Sequence, residues 1–180
     1  MKQQDKELLI TRIFDAPIDR VFDAWTDPEK LKRWYAPDGC TIDYKYIEVK
    51  EGGRFHYRID HPIHGSGWFV GKYLEILRPE KLVYTIRLSN ENGDVLSPDD
   101  LKSAGWPGEI LIKVTFESLG NQTKAVIYEA VSEEKAQKSQ GVNFMTAHEV
   151  FHRISSASTA VVARMWLSGR PAVTTPSATT

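Results

Sequence analysis

At 180 residues and a formal net charge of −1, the chain is long enough for one domain with a sizeable core and has no bulk charge favouring nucleic acid or anionic lipid. A single cysteine, Cys40, excludes an intrachain disulfide, and no apolar run approaches the ~20 residues a membrane-spanning helix needs. The polar start, MKQQDKELLITR, is unlike a signal peptide, so the expectation is a cytoplasmic, reducing location with no nucleic-acid and no membrane partner.

Glu7 to Phe14 alternates enough for a first strand. APIDRVFDAWTDP then reads as a helix. Pro17 suits its first position, Asp19 complements the helix start, and Ile18, Val21, Phe22 and Trp25 form one apolar stripe. Asp27-Pro28 restarts a second short helix with Leu31 and Trp34 as its apolar pair, and Pro37-Asp38-Gly39 is a turn. Six strands follow, at about 40–49, 53–60, 67–77, 81–89, 109–118 and 123–131. Gly52-Gly53, His64-Gly65, Arg78-Pro79, Asn92-Gly93 and Gly120-Asn121 mark the turns. Residues 90–108 (NENGDVLSPDDLKSAGWPG) read as a long polar loop, a length that usually signals function or disorder, with Trp106-Pro107-Gly108 anchoring its return to the sheet. A final helix is predicted at about 141–167. Phe144, Ala147, Phe151, Ile154, Ser158, Val161 and Met165 give it one continuous stripe. The aperiodic tail, 169–180, is expected to be disordered, leaving a single domain over 1–168.

This order predicts an α+β domain in which a curved antiparallel sheet wraps around a long C-terminal helix, with Phe144, Phe151 and Ile154 facing the strands. The most informative stretch is Glu48 to Thr85. Phe55, Tyr57 and Ile59 share one face of a strand, and Arg54, His56 and Arg58 share the other, with paired glycines at its entrance and Gly71 in the next strand. A strand with an aromatic row on its buried face, entered through glycines, suits a sheet that leaves a cavity. Trp34, Tyr44, Phe55, Tyr57, Trp68, Tyr73, Tyr84 and Phe151 are the candidate lining residues. Four of these are tyrosines, and a buried phenol needs a partner for its hydroxyl, which a ligand or trapped water supplies.

The order β-α-α-β6-α, together with EVKEGGRF, GKYLEILRPEKLVYT, GWPGEILIKVTFE and TKAVIYEA, resembles the START-like SRPBCC superfamily. More narrowly, it is similar to homologues of the activator of the heat-shock-protein-90 ATPase, of the C-terminal-domain type, over about residues 7–132. The resemblance implies a helix-grip fold. Its functions there range over binding of lipids or hormones, drug sequestration, cyclisation and cochaperone activity, so it assigns no reaction by itself. Family members usually carry a Gly-Trp early in the last helix, whereas Gly141 here has no adjacent Trp and the segment is rich in Ser and Ala.

Two histidine patterns compete with an apolar pocket as functional signals. His148-Glu149-Val150-Phe151-His152 matches H-E-x-x-H, which on a helix places two imidazoles four residues apart beside a glutamate. On the 141–167 stripe, however, Glu149 falls opposite the core, and no Asp, Glu or His follows to supply a third ligand. The pattern is therefore read as structural or solvent-facing, with no metal. His61-Pro62-Ile63-His64 is read as a polar hairpin turn. Asp43, Glu48, Asp60, Glu75 and Glu129 lie in or beside strands, where most are expected to face solvent or pair with Arg54, Arg58 or Lys72. No Ser-His-Asp order or phosphate loop is evident. The sequence thus predicts a binder of a small, largely apolar molecule, with no catalytic residues, cofactor or metal. Two rivals stand beside it: a cochaperone-like module with a chaperone partner, and a cyclase-like or metal-dependent enzyme using the same cavity.

Overall fold

A computed structural model describes residues 7–131, apart from 38, 63, 64, 105 and 107. The predicted helix 141–167 with Phe144, Phe151 and Ile154, the H-E-x-x-H pattern, His64 and the tail all lie outside the described residues. The elements are β1 (Glu7–Phe14), α1 (Ile18–Thr26), α2 (Pro28–Leu31), β2 (Thr41–Ile47), β3 (Arg54–His61), β4 (Gly65–Leu77), β5 (Lys81–Ser89), α3 (Pro98–Ser103), β6 (Ile110–Leu119) and β7 (Gln122–Val131).

The strands form one curved antiparallel sheet in the order β1-β7-β6-β5-β4-β3-β2, so only β1 breaks the run of sequential hairpins by pairing with the last strand. Register sorts the side chains. Tyr57 stands opposite Phe69, Gly71 opposite Ile86, Tyr73 opposite Tyr84, Tyr84 opposite Ile112, and Ile112 opposite Glu129. Directly opposed residues share a face, so these positions form the buried, concave side, completed by Ile10, Phe14, Phe55, Ile59, Leu82, Val114, Phe116, Ala125 and Ile127.

Gly71 allows the wall to close. A Cβ there would collide with the Phe55 ring and with the Thr85 backbone carbonyl. Without a side chain, β4 lets the Phe55 ring lie across it, edge-on to Tyr73 at 5.3 Å and to Tyr84 at 6.0 Å. Bulges between Tyr44 and Tyr46 in β2, and between Tyr73 and Glu75 in β4, bend the strands at this same end.

Helix α1 closes one end of the concave side. Val21, Phe22, Ala24 and Trp25 are buried, and Phe22 and Trp25 both meet Phe116 of β6 edge-on. Pro17 is the N-cap, with extended ψ, rather than the first helical residue, so the helix begins one position later than the sequence suggested. Asp27 caps α2 through the Glu29 amide. Trp34 follows α2, and its indole N–H donates to the Ala24 carbonyl at 2.9 Å, which locks the two short helices together. Arg78, in the β4–β5 turn, pairs with Asp23 at 2.7 Å and with Asp19 at 3.5 Å, and lies over the Phe22 ring.

The 90–108 segment is more ordered than a polar loop. Ser97 accepts from the Asp100 amide, Pro98 occupies the first turn, and Asp99 and Asp100 follow, so a six-residue helix α3 forms around buried Leu101. The segment is too short to show a helical period, although its cap signature is complete. Trp106 is the expected anchor: it is buried, and its indole N–H donates to the Gly108 carbonyl at 2.8 Å.

Replacing Gly71 by alanine should therefore destabilise the domain by about 1–3 kcal/mol, the usual cost of forcing extra volume into a packed core. Chemical denaturation measures this, and an unchanged midpoint would show that Phe55 does not depend on the gap.

Candidate ligand-binding site

The concave face ends in a hollow lined by Trp25 and Leu31 from the helices, Tyr35 after α2, Tyr44 and Ile47 from β2, Phe55 and Tyr57 from β3, Tyr73 from β4, and Leu82 and Tyr84 from β5. Five of the ten are tyrosines. The hollow is partly open to the surface, and its space is about 20 Å³, room for about one water molecule. The Tyr35 and Tyr84 hydroxyls are 3.3 Å apart and share a hydrogen bond. Tyr57 is stacked on Phe69 at 5.1 Å and meets Tyr35 edge-on at 5.8 Å. Burial pushes Tyr35, Tyr44, Tyr57, Tyr73 and Tyr84 well above the ordinary phenol range; neighbouring phenols raise Tyr35, Tyr44 and Tyr57 further, while the hydrogen bond with Tyr35 opposes the shift of Tyr84. All five are neutral hydrogen-bonding groups at physiological pH. The Trp25 indole N–H, in the same wall, is buried and has no hydrogen-bond partner among the described residues.

Of the candidates named from sequence, Tyr44, Phe55, Tyr57, Tyr73 and Tyr84 are brought together here. Trp34 is not in the wall. It lies behind it, 1 % exposed, edge-on to Trp25 and Tyr35. Trp68 is on the opposite face. It stands opposite Arg58 in register, its ring lies 4.9 Å from that of His56, and the Lys45 ammonium sits 4.9 Å above it. Phe69 holds the inward place instead. Both residues of the Trp68-Phe69 pair are aromatic, so alternation left the phase of β4 open until register fixed it. Phe151 lies outside the described residues.

Three functional candidates were missed as such. Tyr35 adjoins Trp34, and Trp25 reads as part of an ordinary helix stripe. Glu129 is a correction. It faces the concave side and is 7 % exposed, whereas Asp60 pairs with Arg58, one of the expected partners, and Glu75 and Glu48 pair instead with Lys81 and Lys50. In β7 the alternation is ambiguous because Val126 and Tyr128 are as apolar as Ala125 and Ile127. Burial raises the Glu129 carboxyl to about 8, and it in turn raises Tyr84.

On the outer face, the 90–96 turn covers a smaller cluster. Asn90 accepts from the Asn92 and Asp94 amides, and Gly93, with φ of 90°, packs against His56 and Val70. His56 is fully buried there. Burial lowers its pKa, the Asn90 backbone opposes that shift, and Lys45 adds to it. Among the described residues no group of three or more His, Cys, Asp or Glu side chains comes together, and no helix is long and apolar enough to cross a membrane.

The sequence model of the family described as activator of Hsp90 ATPase homolog 1-like protein matches residues 15–157. The chain belongs to that family. Comparison with curated proteins finds no match. Among solved structures, the fold is similar to a solution structure of a protein from Arthrobacter aurescens, with 24% identity, a TM-score of 0.74, and coverage of 91% of this chain and 90% of that one. It is also similar to a crystal structure from Chromobacterium violaceum (20% identity, TM-score 0.65, 87% and 96% covered). A third is the AHSA1 protein of Silicibacter pomeroyi (12% identity, TM-score 0.64, 90% and 99% covered). At these identities the likeness shows a shared fold.

The placement of Glu129 has a measurable consequence. Unfolded, its carboxyl ionises near 4.5; folded, it ionises near about 8. The folded state therefore holds a proton that the unfolded chain has lost, and the stability this group allows falls as pH rises through that interval. Glu129→Gln should match the parent at pH 4.5 and exceed it increasingly up to pH 8, by an amount on the order of 2–4 kcal/mol, with no further growth above. Denaturation at a series of pH values reads the difference, and a constant gap would place Glu129 in water.

Proposed function

We propose that this protein binds a small, largely apolar molecule at the tyrosine-lined hollow. The observation that carries the reading is the polarity of an otherwise apolar wall: four buried phenols, the half-buried Tyr44 and one unpartnered indole N–H border one partly open hollow. A buried polar group left without a partner costs free energy; in this wall that group is the Trp25 indole N–H, whereas the Tyr35 and Tyr84 hydroxyls partner each other, and a water or a ligand atom in the hollow would supply the indole's acceptor. The family is compatible with the reading, since domains of this type are commonly ligand-binding or cochaperone-like. The present size of the hollow weighs against it. Small-molecule pockets are typically about 300–1,000 Å³, so a ligand requires the rings of Tyr35, Tyr57 or Tyr84 to turn aside.

A cochaperone-like role is the second reading. It is favoured by exposed apolar side chains on the outer face, where Leu9 is 66% and Ile13 is 61% exposed on edge strand β1.

The test compares two neighbours on β3. The uncharged fluorophore N-phenyl-1-naphthylamine should bind the folded protein and quench tryptophan emission. Tyr57→Trp, which fills the hollow, should weaken binding roughly tenfold, equivalent to about 1.4 kcal/mol. Arg58→Ala, on the face that carries Trp68, should leave it unchanged. Equal binding by all three proteins, or none by the parent, would leave the outer surface as the better functional candidate.

A further inference from the structure

The two edges of the sheet are guarded differently. In the order β1-β7-β6-β5-β4-β3-β2, strands β1 and β2 are the edges. An edge strand presents unpaired N–H and C=O groups, a template for another strand, and proteins blunt such edges with bulges and charges. β2 is blunted both ways. Its register breaks between Tyr44 and Tyr46, and it exposes Asp43 and Lys45, the latter tied to the Glu91 carbonyl at 2.6 Å. β1 has neither device on its outer face. Its pairing with β7 runs unbroken from Glu7 to Phe14, and its exposed side chains are Leu9, Thr11 and Ile13. Leu9, at 66%, and Ile13, at 61%, are the two most exposed large apolar side chains among the described residues. On the same strand the Arg12 guanidinium donates to the Thr11 carbonyl at 3.0 Å, an exposed contact between neighbours that an incoming amide can replace.

Leu9 and Ile13 flank Thr11 symmetrically, two residues to either side. In an antiparallel pair of identical strands related by a two-fold axis at Thr11, Leu9 of each copy stands opposite the partner's Ile13. Both exposed apolar side chains are then covered at once. Other registers lose this. Sliding one copy by two residues sets Leu9 against the partner's Thr11. Sliding it by two the other way sets Arg12 against the partner's Arg12, like charges face to face. A slide of one residue opposes outward positions to inward ones.

We infer that the β1 edge receives a second copy of this chain, forming a two-fold dimer with Thr11 on the axis and Leu9 against the partner's Ile13. Main-chain hydrogen bonds join the strands, and the apolar pairs fix the register. The sheet then continues from one copy into the other. A contact made by one strand of eight residues falls at the low end of specific interfaces, below about 1,200 Å², so the dimer is concentration-dependent rather than permanent. The tyrosine hollow is built on β2 to β5, at the other side of the sheet order, so the inference is independent of the ligand-binding reading. It does occupy Leu9 and Ile13, the residues that favour the cochaperone-like reading.

Sedimentation velocity of the full chain over a range of concentrations should show a 20.4 kDa monomer giving way to a species of twice that mass. Ile13→Lys places a charge at the edge and should weaken dimerisation at least roughly tenfold. Leu77→Lys, at a residue 48% exposed in β4 and away from the edge, should leave it unchanged. Cysteine cross-linking in a Cys40→Ser background then reads the register. Thr11→Cys should form an intermolecular disulfide on mild oxidation, because facing Cα atoms lie about 4.5–5.5 Å apart, within disulfide reach. Ile13→Cys should not link to itself, since its own copy lies on the order of 13 Å further along the strands, but should link when mixed with Leu9→Cys. A monomer at every concentration overturns the inference. A dimer unaffected by Ile13→Lys places the contact elsewhere and overturns it too. Self-linking of Ile13→Cys without linking of Thr11→Cys overturns the register, and with it the reason for choosing a second copy.

Discussion

The structure depends on one constraint: an antiparallel sheet must close over a concave face crowded with aromatic rings, several of which carry polar tips that water no longer reaches. Burying rings such as Phe55, Tyr57, Phe69, Tyr73 and Tyr84 supplies most of the apolar area at this end of the domain. Burying their hydroxyls opposes folding unless each finds a partner. Several local features serve the closure. Gly71 gives the Phe55 ring its path, and two bulges turn the ends of β2 and β4. The Trp34 hydrogen bond to Ala24 holds the short helices against the rim. Tyr35, brought in by that rim, then shares its hydroxyl with Tyr84 across the hollow.

The two faces of the sheet follow different chemistry. Outside, charges are paired and solvated: Arg58 with Asp60, Lys81 with Glu75, Lys124 with Glu117. Such exposed pairs contribute little to stability. Inside, the carboxyl of Glu129, the one buried acidic side chain among the described residues, faces apolar neighbours, and burial raises its pKa to about 8. The fold is shared with proteins at 24% identity and below, and a fold common to such distant chains leaves the contents of the concave face free to vary.

Much of this was legible in the sequence because the signals were local. The alternation of Phe55, Tyr57 and Ile59 against Arg54, His56 and Arg58 has one phase only, and the structure follows it. Turn glycines and Pro28 set the element boundaries to within a few residues. Reading failed where both phases were equally apolar. Trp68 and Phe69 are adjacent aromatics, and only the pairing of Tyr57 with Phe69 decides which points inward. Glu129 was hidden for the same reason, because β7 is apolar on both sides and its inward phase is set by Ile112 across the ladder. Helix α3 carried a full capping signature but no period, and Tyr35 enters the site through tertiary packing that no spacing encodes. Non-local register is what single-strand patterns lack.

The central claim is that the tyrosine hollow, and not the outer face, receives a ligand. Tyrosine labelled with carbon-13 at the ring ζ position allows each phenol to be followed by NMR as N-phenyl-1-naphthylamine is added. The account predicts that Tyr35, Tyr57 and Tyr84 shift together with a single saturation curve, while Tyr46, 42% exposed on the outer face, stays in place. Movement of Tyr46 with the three inner tyrosines unchanged would contradict it.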